Sequence, residues 1–142
     1  MTGPRRRGGY RLLEHTADVT AEAEGPSWDA MASAMLEALA GTVFGTAPDP
    51  GPGGAETVPF SAETDDPALA LVELLNEALY WMTVRGRWPV RYEGGPAGGT
   101  LVVAPVPAGT EPVREVKAAT YGGLRCERLP DGGWRAVVTF DL

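Results

Sequence analysis

Residues 19–24 alternate strictly. Val19, Ala21 and Ala23 are apolar, and Thr20, Glu22 and Glu24 are polar. A period of two predicts a strand with one buried face. Residues 10–13 read as a shorter strand before it. From Ser27 the period changes: Trp28, Met31, Met35, Leu39 and Val43 recur every three or four positions, the apolar stripe of a helix. Ser27 suits the N-cap and Asp29 the first turn, where a carboxylate meets the positive end of the helix dipole. Gly41 and Gly45 mark its end. A second helix has a stronger start, with Asp66 as N-cap and Pro67 at the first helical position, where a missing N–H costs nothing. Leu71, Leu75, Leu79 and Met82 carry its stripe, Val72 and Leu74 widen it, and Gly86 stops it. Between the helices, residues 57–62 predict a weak strand, and Pro59 puts it at a sheet edge.

Beyond Gly86 the period of two returns. Trp88, Val90 and Tyr92 alternate with Arg87, Pro89 and Arg91. A Gly-rich turn over 93–99 leads to an apolar run over 101–106. Residues 113–121 and 124–127 flank Gly122-Gly123, which reads as a tight turn. Trp134, Ala136, Val138 and Phe140 give the cleanest strand, entered through the turn Pro130-Asp131-Gly132-Gly133. Two helices and about seven strands, most of them in succession late in the chain, predict an α+β fold. The helices pack on a largely antiparallel sheet. The chain of 142 residues is the size of one domain. Its 19 Gly and 13 Pro cluster in loops, above all in an exposed loop over 45–54; residues 1–9 are expected to be flexible.

Composition narrows the class. No apolar run approaches the ~18 residues of a membrane span. One cysteine, Cys126, excludes a disulfide scaffold and fits a reducing compartment, so a cytoplasmic location is expected. Arg5, Arg6 and Arg7 resemble the start of a signal peptide, but Glu14, His15 and Asp18 follow in place of an apolar segment. The net charge of -7 is uneven: from Glu14 to Glu77 there are 13 acidic residues and no Lys or Arg. Such a stretch repels phosphate, so direct nucleic-acid binding is not expected. It suits a basic protein partner, a divalent cation, or simply water.

Three segments could carry chemistry. Glu14-His15-Thr16-Ala17-Asp18 holds the only histidine and two carboxylates between two strands. Spacing alone favours a satisfied, half-buried histidine beside a solvated acid, although an acid there can reach a cation. One His with carboxylates is far below a four-ligand zinc motif. Asp141 and Leu142 offer side-chain and chain-end oxygens, a donor set suited to Ca²⁺ or Mg²⁺ over Zn²⁺. The competing reading is a frayed tail, but alternation up to Phe140 argues for docking in the sheet. In Glu115-Val116-Lys117-Ala118-Ala119-Thr120-Tyr121, Lys117 is the only lysine. It is either an amine at a packed or coordinating site or a strand charge paired with Glu115. There is no phosphate loop, dinucleotide fingerprint or nucleophile elbow, and Cys126 reads as core.

These segments resemble the archease family. Glu14-His15-Thr16-Ala17-Asp18 is similar to its leading signature, and Leu74-Leu75-Asn76-Glu77-Ala78-Leu79-Tyr80 to its LNELLY-like helix element. Glu115 to Tyr121 is similar to its EVKAVTYH segment, and Gly133-Trp134 with Phe140-Asp141-Leu142 to its ending. The matches keep their order and span almost the whole chain. Gly122 stands where the family often has His, and Val19-Thr20 replaces a more apolar pair. The resemblance implies strand–helix–strand–strand units. It also implies a non-enzymatic partner of a GTP- and manganese-dependent tRNA-splicing RNA ligase, whose guanylylation and multiple turnover archeases promote. The implied metal site falls on Asp18, Asp141 and an oxygen of Leu142, with His15 and Lys117 in support. Ca²⁺ is the expected occupant of the isolated protein, with Mg²⁺ or Mn²⁺ as alternatives. Two other functions stand beside this one: a chaperone or modulator of RNA-processing enzymes such as a tRNA methyltransferase, and a metal-dependent hydrolase.

Overall fold

The computed structural model describes residues 8–14, 18–47 and 53–142. Its elements follow in the order β1 (Gly9–Glu14), β2 (Asp18–Gly25), α1 (Trp28–Phe44), β3 (Glu56–Ser61), α2 (Pro67–Val84), β4 (Arg87–Gly94), β5 (Gly98–Pro105), β6 (Ala118–Arg128) and β7 (Trp134–Asp141). Both helices start where capping chemistry predicts. The Ser27 hydroxyl accepts from the Ala30 N–H, the Asp66 carboxylate accepts from the Ala68 N–H, and Pro67 opens α2. Gly45 closes α1 in the left-handed conformation (φ 83°) that glycine adopts at no steric cost.

The fold class is α+β and every strand pairing is antiparallel. The strands divide between two sheets, one ordered β1-β2-β7-β6 and the other β3-β5-β4. Helix α1 packs on β1, β2 and β7 of the first sheet and on β4 of the second; α2 packs on β6 and β4. The helices therefore join the two sheets through one core. This explains why the stripe on α1 understates its burial. Thirteen of its seventeen residues are buried, including Ala32, Leu36, Ala38 and Ala40 off the Trp28–Met35–Val43 line. A helix enclosed on most sides needs small apolar residues where backbones approach. Tyr92 ties the second sheet to α1, with its ring edge-on to Trp28 at 5.6 Å and to Phe60 at 5.9 Å.

Two sequence expectations change. Gly122-Gly123 does not turn the chain between two strands. Residues 118–128 form one strand that pairs with β7 on both sides of an excursion: Thr120 lies opposite Thr139, and pairing resumes at Arg125 opposite Val137. Gly123 takes φ +69° within that excursion. The glycines allow the strand to bulge and continue, and the hydroxyl of Thr139 donates to the Gly122 carbonyl to pin it. In addition, residues 113–117 precede the strand instead of forming part of it. Val113 and Arg114 instead donate their N–H groups to the Val43 carbonyl at the end of α1. The expected edge strand is found: β3, with Pro59, pairs only with β5.

The turn after β4 is tight. A Cβ on Gly99 would lie 2.2 Å from the Glu93 carbonyl oxygen and 2.8 Å from the Tyr92 hydroxyl. Gly99→Ala should lose about 1–3 kcal/mol of unfolding free energy in urea titration, since backbone must move to admit the methyl.

The acidic stretch is not left as bare charge. Glu22 lies between Arg135 (2.9 Å) and Arg11 (3.3 Å), which come from the strands on either side, and Glu56 pairs with Arg87 at 2.9 Å. The cations that residues 14–77 lack are supplied by neighbouring segments of the fold. These pairs are exposed enough that each stabilises by no more than about 1 kcal/mol.

Candidate metal centre

The site is built by the register of β2 on β7. Asp18 is the direct partner of Asp141, and Val19 of Phe140. Val19 and Phe140 are fully buried, so alternation turns Asp18 and Asp141 to the opposite face, together. Direct partners hold their Cβ atoms about 4.5–5.5 Å apart, close enough for two carboxylates to share a cation. Asp18 is half-buried and Asp141 exposed. Neither carboxylate makes a hydrogen bond or ion pair among the described residues. Two like charges directly opposite each other repel, and nothing described from this chain offsets them.

Leu142 follows on the same strand end, half-buried against the core. Its position brings its main-chain oxygen into the neighbourhood of Asp141 while its side chain anchors the segment. Lys117 also meets the site, though through its backbone: its N–H donates to the Asp141 carbonyl at 2.8 Å. Its side chain is exposed and makes no ion pair with Glu115. Ala118 is the partner of Asp141 on β6, so Asp141 lies between Asp18 and Ala118 in one row. The next row on that face holds Thr20, Thr139 and Thr120. Glu14 ends β1 opposite Val19; His15 lies outside the described residues.

The donor set is all oxygen, which fits a hard cation such as Ca²⁺, Mg²⁺ or Mn²⁺. Among the described residues no three of His, Cys, Asp and Glu converge. A cation between Asp18 and Asp141 would therefore draw further ligands from main-chain oxygen and water.

Sequence reasoning missed Asn76 on α2. Its amide grips the backbone of Ala119, one residue from the partner of Asp141. The available signal was a poor helix former set beside the apolar stripe of a helix.

Cys126 does not join the site. Burial pushes its thiol up to about 11; the Trp28 indole N–H, which has no well-formed hydrogen bond of its own, opposes the rise, and the charges of Asp66 and Glu127 add to it. The thiol is therefore protonated at neutral pH and a poor nucleophile. Alkylation of Cys126 by iodoacetamide should be slow at pH 7.5, with roughly two orders of magnitude less thiolate than an unperturbed cysteine. Its rate should climb with pH toward 11; a plateau near pH 9 would contradict the burial argument.

A groove of about 610 Å³ lies where α1 and α2 end beneath the connection from β5 to β6, lined mainly by apolar side chains such as Phe44, Met82, Pro112 and Val116. Among the described residues no helix is long and apolar enough to cross a membrane.

Two helices joined to two antiparallel sheets, with paired carboxylates at the open end of the β2–β7 ladder, define a small α+β protein with a candidate divalent-cation centre. The chain matches the archease protein family (MTH1598/TM1083) over residues 10–142, and it belongs to that family. Solved structures agree on the fold. An archease of Thermotoga maritima, described as a possible chaperone, superposes with a TM-score of 0.69 at 22% identity, covering 93% of this chain and 96% of that one. Protein 1598 of Methanobacterium thermoautotrophicum superposes with a TM-score of 0.65 at 21% identity, covering 94% and 99%. No curated protein matches the sequence.

Proposed function

We propose that this archease is a non-enzymatic activator of a GTP-dependent tRNA-splicing RNA ligase that joins 3′-phosphate or 2′,3′-cyclic-phosphate ends to 5′-hydroxyl ends. It would act through a divalent cation held by Asp18, Asp141 and an oxygen of Leu142. One observation carries this reading: two carboxylates from opposite ends of the chain face each other on one side of the sheet, with no described cation to balance them. A cation bound there would neutralise negative charge developing on a phosphate during ligase guanylylation.

The protein's own residues have separable tasks. Asp18 and Asp141 supply the charge. Phe140 and Val19 hold their backbones rigid from the core side. The Lys117 N–H fixes the Asp141 carbonyl, and the exposed Lys117 side chain would support the same centre. His15 is placed by sequence next to this end of β2 and would support the same centre. The accessory role stands ahead of the hydrolase reading because a structural neighbour within the family is described as a possible chaperone. The acidic remainder of the surface suits a basic partner, since a ligase that grips RNA needs cations. The expected location is the cytoplasm.

The test is calorimetric titration of Ca²⁺, Mg²⁺ and Mn²⁺, followed by ligase guanylylation and turnover with GTP. Stimulation by wild type and its loss in Asp18→Ala is the expected result. An Asp18→Ala protein that stimulates as well as wild type overturns the metal reading.

A second reading, a general chaperone or modulator of RNA-processing enzymes such as a tRNA methyltransferase, draws on the apolar groove at the helix ends. It requires stable complexes in cells that lack the ligase.

A further inference from the structure

We infer that Asn76 is a positioning residue for the Asp18–Asp141 pair; this rests on reading that pair as a divalent-cation site. Asn76 is the chain's single asparagine, and with no glutamine present it is the only carboxamide side chain. From α2 its Nδ2 donates to the Ala119 carbonyl at 3.2 Å, and its Oδ1 accepts from the Ala119 N–H at 2.9 Å. A carboxamide carries the same donor and acceptor as a peptide group. It therefore offers Ala119 what a further strand would offer at the open edge of β6, a service no other side chain in this sequence could give with the same planar geometry.

The position matters because the β6–β7 ladder is broken. The excursion between Thr120 and Arg125 isolates three pairs, Ala118–Asp141, Ala119–Phe140 and Thr120–Thr139. These pairs, the Lys117 N–H on the Asp141 carbonyl, and the Asn76 clamp hold β6 against the end of β7. The clamp grips the middle residue of the three. When it is released, the β6 segment that braces Asp141 on the side away from Asp18 loses its hydrogen bonds to α2, and the last β2–β7 pair, Asp18–Asp141, is left to fray more freely.

The fold contains its own control. On α1, the Ser33 hydroxyl accepts from the Tyr92 N–H at 2.9 Å and donates to the Tyr92 carbonyl at 3.2 Å. This is the same device on β4, an edge of the other sheet, with no connection to Asp18 or Asp141.

The experiment compares wild type, Asn76→Ala, Asn76→Ser and Ser33→Ala by Ca²⁺ calorimetry, thermal unfolding and amide hydrogen exchange. Asn76→Ala should weaken Ca²⁺ binding about tenfold, the low end of what residues supporting a metal ligand contribute, and should speed exchange at Lys117 and Ala119. Ser33→Ala should lower the thermal midpoint and leave Ca²⁺ affinity unchanged. Should Asn76→Ala not fold, Asn76→Ser, which keeps one hydrogen-bonding group, is read by the same measures. Folded Asn76 variants that bind Ca²⁺ like wild type overturn the positioning role while leaving the carboxylate site intact. A wild type that binds no Ca²⁺ overturns the site itself, and the inference with it.

Discussion

Asp141→Ala should abolish Ca²⁺ binding while leaving the protein folded. The expected loss is more than about 100-fold in affinity, beyond the ~10–100-fold typical of residues that only orient a ligand. Among the described residues, these two carboxylates are the charged side-chain donors that the β2–β7 register brings together at this end of the sheet. Removing either leaves one carboxylate and main-chain oxygen, too little charge to strip water from a hard divalent ion. Stability should move little, within about 0.5 kcal/mol, because Asp141 is exposed and its removal relieves a like-charge pair. Asp18→Ala should behave in the same way, and the double variant should be no worse than either single one, since the two act as a unit. Calorimetry gives the affinities and urea unfolding the stabilities. A tenfold or smaller loss in both single variants would move the site elsewhere. Ligase stimulation should follow the affinities.

The largest expected loss of stability comes one residue earlier. Phe140→Ala should cost about 3–5 kcal/mol. Phe140 is fully buried and lies between Val19 of β2 and Ala119 of β6, both also buried. Truncation would leave a cavity where three strands meet the helices. Against a total of about 5–15 kcal/mol for a domain, that loss could leave a substantial unfolded fraction at 37 °C. Phe140→Leu, which keeps most of the apolar volume, should cost clearly less. Urea midpoints of both variants against wild type decide this, and a cost below 1 kcal/mol for the alanine variant would contradict the packing described. The two predictions are complementary: neighbouring residues on opposite faces of β7, one expected to change binding without stability and the other stability before binding.

Much of the fold is legible from local signals. Ser27, Asp66 and Pro67 announce the helix starts because capping is settled within a few residues. The strands around Val19 and Phe140 show which side is buried because side chains alternate with every residue. Pro59 marks an edge because it cannot donate to a ladder on both sides. The misreadings have a common origin. Gly122-Gly123 carries the composition of a hairpin turn, and only the presence of β7 alongside turns it into a bulge in a continuous strand. The stripe on α1 suggests one buried face, and only the second sheet covers the remainder.

The candidate site divides in the same way. Composition and spacing single out Asp18, Asp141 and Lys117 as residues able to carry chemistry, and the family resemblance joins the two carboxylates. Asn76 carries only the mark of a poor helix former beside an apolar stripe, because a side chain that imitates a peptide group shows its role only beside the peptide it grips.

By itself, the sequence determined the kinds of element, the starts of both helices, the buried faces of the strands around Val19 and Phe140 and the oxygen-rich character of the possible ligands. All of these depend on neighbours within about a turn of helix or a few residues of strand. The tertiary structure decided that the strands form two sheets, that Glu22 meets Arg11 and Arg135, and that Asp18 stands opposite Asp141. It decided these because register between distant strands is set by how buried faces interlock: a shift of β7 by a single residue would carry Phe140 to the solvent side, and Asp141 away from Asp18.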